Sequence, residues 1–180
     1  NGVTDLVLIS RAQAQALESA VECTAALFSP STGIIDSHGL MLALLGDAER
    51  HGAVLAVRTP VERIVAQNNH FDVLTGGEAP ASISANIVIN SAGLHAAKVA
   101  ARIDGLAAHH VPTMRYAKGN YFSLSGKAPF SRLVYPIPEL GGLGVHYTIG
   151  MGGQGRFGPD VQWIDHIDYH VDSTRGEKFY

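Results

Sequence analysis

One cysteine in 180 residues, Cys23, leaves no partner for an internal disulfide and too few thiolates for a cysteine-rich metal site. No His or Asn motif accompanies it, so Cys23 reads as a buried small hydrophobe rather than a nucleophile. A reducing, cytoplasmic setting fits this cysteine usage. Long apolar runs are missing as well: none approaches the roughly 18 residues of a membrane-spanning helix, and a soluble protein is expected. Charge is sparse. Charged residues make up 16% of the chain and net to -3 without a block of one sign, which argues against a nucleic-acid surface or a membrane-binding face. A small organic molecule is the expected partner. The opening Asn1-Gly2-Val3-Thr4-Asp5 has neither the basic start nor the apolar segment of a signal peptide. With no initiator Met, and a halt at Gly176 to Tyr180 inside what reads as a starting helix, the chain is expected to be a piece of a longer protein.

What is present is a folded pattern, 46% hydrophobic, with its apolar residues at helix and strand spacings. Ser10 is placed to cap a helix over Arg11 to Val21, and Ala25 to Phe28 reads as a short strand. Asp36-Ser37 caps a second helix, His38 to His51, which Gly52 ends. Strand patterns follow at Val54 to Val57, Val61 to Ala66, Phe71 to Thr75 and Ile83 to Ser84, with Asn68-Asn69 and Gly76-Gly77 as turns. These predict a small antiparallel meander. A second set of strands, Lys118 to Leu124, Leu133 to Pro136, Gly144 to Thr148 and Arg156 to Phe157, is separated by glycine and proline turns. The expected fold class is therefore α/β and α+β, an α/β layer joined to a largely antiparallel sheet.

The stretch Asn86 to Lys98, NIVINSAGLHAAK, carries the sharpest local signal. Ile87, Val88 and Ile89 read as a strand buried on both faces, and Ser91-Ala92-Gly93 lets backbone come close to whatever lies at its carboxyl end. The same turn is also compatible with plain helix–strand packing. Its neighbours add weight: SPSTGIIDSHGLM (Ser29 to Met41), RTPVERI (Arg58 to Ile64), VINSAGLHA (Val88 to Ala96), YAKGNYFSLSG (Tyr116 to Gly126), then GLGVHYT and GRFGPD between Gly142 and Asp160. In this order they resemble the D-amino-acid-oxidase type of FAD-dependent oxidoreductase, in its L-2-hydroxyglutarate dehydrogenase-like branch. The resemblance covers nearly the whole chain but omits the family's opening glycine-rich strand–turn–helix and its closing strand and helix. It implies an FAD-binding α/β layer over residues 37–101 and a substrate-binding sheet built from residues 1–36 and 102–180.

The resemblance also implies roles. Val61 would offer its backbone N–H and C=O to the adenine edge, and Ser91, Ala92 and Gly93 would be backbone neighbours of FAD; by pattern alone Val61 reads as the first buried residue of a strand, and the family resemblance favours the cofactor role. The implied substrate is a small 2-hydroxy acid, 2-hydroxyglutarate first and an amino acid second, with the electron acceptor left open. Such chemistry needs a hydride acceptor, a base for the hydroxyl proton and groups that grip a carboxylate. His146 is the first choice for the base because histidine titrates near neutrality, although a strand histidine facing solvent has the same pattern. Tyr121 is the second catalytic candidate, presenting a hydroxyl to the carboxylate; Tyr116, Lys118 and Arg156 are the substrate-binding candidates. For the tyrosines a core position, and for the cations a solvated one, are the ordinary alternatives. His38 follows Asp36 at a helix start, where capping competes with catalysis. His166 and His170 have the spacing of a helical zinc pair but lack the accompanying Glu, and no metal is expected. His109-His110 reads as a solvated loop. A competing reading of the whole chain is a non-catalytic substrate-binding or assembly module.

Overall fold

The computed structural model describes residues 2–138 and 144–179. The backbone divides into two compact units, Asn1–Ala43 with Tyr116–Tyr180, and Leu44–Arg115.

In the first unit, β1 (Val7–Ser10) and β2 (Ala25–Phe28) pair antiparallel around α1 (Arg11–Leu17). Ser10 caps α1 as expected: its hydroxyl accepts from the Gln13 amide while the Gln13 side chain reaches back to the Ser10 amide. The helix stops at Leu17, short of the expected Val21. Asp36 caps α2 (Ser37–Arg50), accepting from the backbone N–H of His38 and Gly39.

The larger sheet of this unit has the order β7–β9–β8, with β7 (Tyr116–Ser123), β8 (His146–Ile149) and β9 (Gly155–Ile164) all antiparallel. Side chains alternate across its two faces. One row of the inner face runs Phe122, Phe157, Tyr147 across the three strands, and Phe130 packs edge-on to Tyr147 at 5.0 Å. Asn120 and Asp160 are buried beside this row, and Arg175 from the 3-10 turn Ser173–Phe179 pairs with the Asp160 carboxylate. The outer face is open and carries Tyr121, Val161 and Trp163, the last 69% exposed.

The second unit holds a sheet of order β5–β4–β3–β6. The expected meander is there as β3 (Val61–Ala66), β4 (Phe71–Thr75) and β5 (Ala81–Ala85), and β6 (Ile103–Asp104) adds in parallel after α3 (Ala96–Ala100). Ile64 is its most buried residue at 1% exposure. Arg63 grips Asp104 through both carboxylate oxygens.

Several expectations need correction. Val54 to Val57 forms no strand, and its valines are exposed. Ile87 to Ile89 is not a buried strand either: it pairs with no neighbour among the described residues, and Ile87 and Ile89 are 76% and 81% exposed. Apolar content records that a run is suited to burial, whereas a strand also needs a hydrogen-bonding partner beside it. Leu133 to Pro136 contributes a single bridge, Val134 to Tyr147, rather than a strand. Cys23 is half-buried rather than buried.

Candidate active site

Register decides which candidate residues meet. Because Phe122, Phe157 and Tyr147 form an inner row, the residues flanking each of them point outward. One outer row is Ser123, Arg156, Thr148; the next has His146 opposite Gly158, with the Tyr121 ring lying against Gly158. A Cβ on Gly158 would sit 2.6 Å from the Tyr121 ring and 2.7 Å from the Asn120 carbonyl oxygen, so only glycine lets that ring lie down there. Tyr121, Arg156 and His146 thus share the outer face of one sheet.

The His146 imidazole is stacked on Tyr135, with ring centroids 4.1 Å apart and planes 23° from parallel. Arg156 lines an open cleft of about 330 Å³ whose other walls are Ile34 to Ser37 and Ile149 to Met151. Ile34, Ile35, Ile149 and Met151 form the apolar part of this cleft, and Asp36, Ser37 and Arg156 its polar part.

Tyr116 and Lys118 lie on the opposite, inner face. The Lys118 side chain is 13% exposed, and its ammonium donates at 2.8 Å to both the Asp168 carboxylate and the His170 carbonyl oxygen. Lys118, followed by the His170 N–H, holds the Asp168 carboxyl below the usual carboxylate range. His166 to His170 is not helical, so its two histidines lack the geometry of a zinc pair. His38 is exposed, and its backbone N–H serves the Asp36 cap.

Of the cofactor candidates, Val61 opens β3 with its carbonyl accepting from the Arg102 guanidinium at 2.5 Å. Ser91, Ala92 and Gly93 form an exposed turn bracketed by Asn90, whose side chain donates to the Ala96 carbonyl oxygen and accepts from the Ala92 N–H. Gly93 has φ +53° and open space where a Cβ would stand. Bare backbone facing open space fits the close approach of a large cofactor.

One motif misleads. Gly150-x-Gly152-x-x-Gly155 has the spacing of a dinucleotide-binding turn, yet it joins β8 to β9 in a hairpin closed by the Gly150 N–H to Gln154 carbonyl bond. A pyrophosphate turn must lead from strand into helix, so these glycines do not supply one.

Residues 1–179 match the protein family described as FAD dependent oxidoreductase. The chain belongs to that family. Among curated proteins, this member of the family is 37% identical over 220 aligned residues to the mitochondrial L-2-hydroxyglutarate dehydrogenase of Arabidopsis thaliana, covering the whole of this chain and 46% of the relative. It is 29% identical to the mitochondrial L-2-hydroxyglutarate dehydrogenase of Caenorhabditis elegans over 89% of the chain and 38% of that protein. It is 28% identical to the L-2-hydroxyglutarate dehydrogenase of Indibacter alkaliphilus over 76% of the chain and 34% of that protein. The chain spans less than half the length of these relatives.

Sequence reading alone misses Tyr135, and helix spacing puts Glu18 among the solvated positions of the expected helix, which its burial overturns. Glu18 is buried, and its carboxylate accepts from the Ser131 N–H, the Ser131 hydroxyl and the Arg132 guanidinium. Burial pushes its carboxyl up, but the Ser131 and Arg132 bonds together outweigh burial and hold it below the ordinary glutamate value. No local pattern marks a pairing between residues 113 positions apart.

Proposed function

We propose that the full-length protein is an FAD-dependent dehydrogenase that oxidises a small 2-hydroxy acid of the 2-hydroxyglutarate kind, and that this chain supplies its substrate sheet and part of its cofactor contacts. The observation that carries the reading is the common outer face of His146, Tyr121 and Arg156. Family membership and the names of the relatives support the substrate class. The chemistry FAD supplies when bound is acceptance of the hydride from the substrate α-carbon.

In this reading His146 takes the hydroxyl proton, Arg156 holds a carboxylate from the cleft wall, and the Tyr121 hydroxyl donates a second bond to the acid. Lys118 and Tyr116, on the inner face, hold the sheet rather than the substrate. Val61 and the Ser91 to Gly93 turn offer backbone to the cofactor, within a layer over residues 37–101. A cytoplasmic location rests on the cysteine usage alone, while the plant and nematode relatives are named as mitochondrial; cell fractionation separates the two.

The test is the flavin-reduction rate of the full-length His146→Ala enzyme. Loss of a positioned base lowers that rate by about 100-fold to 10,000-fold, with flavin content unchanged. A wild-type rate removes His146 from the chemistry.

A further inference from the structure

We infer that Tyr135 is a positioning residue for His146, fixing the plane of its imidazole through ring stacking; this rests on the reading of His146 as the base. The backbone builds the contact. Val134 and Tyr147 exchange both of their hydrogen bonds, Val134 N–H to the Tyr147 carbonyl at 3.1 Å and Tyr147 N–H to the Val134 carbonyl at 2.8 Å. In an antiparallel pair the positions next to a hydrogen-bonded pair face each other without hydrogen bonds and with their side chains closer. Those positions are Tyr135 and His146, and their rings meet at 4.1 Å.

The segment carrying Tyr135 is anchored, although it forms no regular strand. The Tyr147 hydroxyl donates to the Phe130 carbonyl oxygen at 3.0 Å. One residue further on, the Glu18 carboxylate holds Ser131 and Arg132, and Arg132 also donates to the Leu17 carbonyl oxygen. The strap from Phe130 to Val134 is therefore tied down at three points before it delivers Tyr135 to the outer face.

Stacking suits a proton-accepting imidazole. The terminal torsion of a histidine is broad and roughly two-fold, so its rotamer preference alone does not fix the ring plane. A tyrosine ring laid on one face narrows that torsion and covers the π-surface, leaving the ring nitrogens, which lie in the plane, pointing past its edge. Proton transfer depends on that in-plane direction. The Tyr135 hydroxyl has no part in this arrangement.

The experiment compares Tyr135→Phe and Tyr135→Leu in the full-length enzyme, both read on protein with wild-type flavin content and melting temperature. Tyr135→Phe keeps the stack and retains the wild-type flavin-reduction rate. Tyr135→Leu lowers that rate on the order of 10- to 100-fold, with KM for 2-hydroxyglutarate nearly unchanged. A second readout needs no turnover: the His146 ring protons, assigned by their loss in His146→Ala, are shifted upfield by the tyrosine ring current and move back in Tyr135→Leu. Should Tyr135→Leu lose flavin or melt early, Tyr135→Met takes its place in both measurements. Equal losses in Tyr135→Phe and Tyr135→Leu, or ring protons unmoved in Tyr135→Leu, overturn the inference. A wild-type rate in His146→Ala with the upfield shift intact overturns the function assigned to His146 and leaves the stack standing.

Discussion

Gly158 shows how much one absent side chain does on the outer face. The Tyr121 ring occupies the space a Cβ would take, and the second obstacle is the Asn120 carbonyl oxygen, which is backbone and cannot swing aside. Gly158→Ala should therefore destabilise the full-length protein by about 1–3 kcal/mol, the usual cost of overpacking, and displace Tyr121. Urea unfolding reads the first effect and a raised KM the second; wild-type values of both would show that the ring has another place to lie. Lys118 illustrates the opposite case. It sits three residues from Tyr121 on one strand, and in a strand an odd spacing means opposite faces. That parity is legible in the sequence, whereas shared membership of a motif says nothing about which face a residue takes.

Secondary elements were legible where local chemistry suffices. The Ser10–Gln13 capping box, the Asp36 cap and the meander from Val61 to Ala85 each rest on contacts within a few residues. The sequence pattern predicts only Arg156 to Phe157 of β9 because Gly155, Gly158 and Pro159 interrupt it, and the strand's ten-residue length comes from pairing on both sides. The shared face of His146, Tyr121 and Arg156 depends on register between strands remote in sequence, which periodicity cannot supply.

The anchored strap is a second long-range device, and it makes stability depend on pH. The Glu18 carboxyl lies below the ordinary value of 4.5 in the folded state, so the unfolded chain binds more protons in the window beneath that value. The contribution of Glu18 is fully present above 4.5 and is lost as pH falls through the depressed folded value. Denaturation of wild type and Glu18→Gln across this range should show a stability gap that closes on acidification. A gap independent of pH would mean that the Glu18 charge plays no part.

At the scale of the whole chain, the resemblance lacks the family's glycine-rich opening element, and the glycines from Gly150 to Gly155 close a hairpin instead of leading into a helix. In the proposed reading the cofactor contacts left to this chain are backbone at Val61 and at Ser91 to Gly93. The 180-residue chain alone should therefore hold FAD weakly or not at all, whereas the full-length protein holds it tightly. Absorbance of the purified chain after desalting decides the matter. Stoichiometric flavin would require a pyrophosphate site elsewhere in these residues.

Trp163 stands on the same outer face as Tyr121 and is the sole indole in the chain. Its fluorescence consequently reports on the sheet's surface and hardly at all on the aromatic row beneath. A soluble quencher such as iodide reaches it directly in the isolated chain. Once longer protein or bound substrate covers that face, the same emission becomes a shielded, blue-shifted optical gauge of coverage, read without a label or an added mutation.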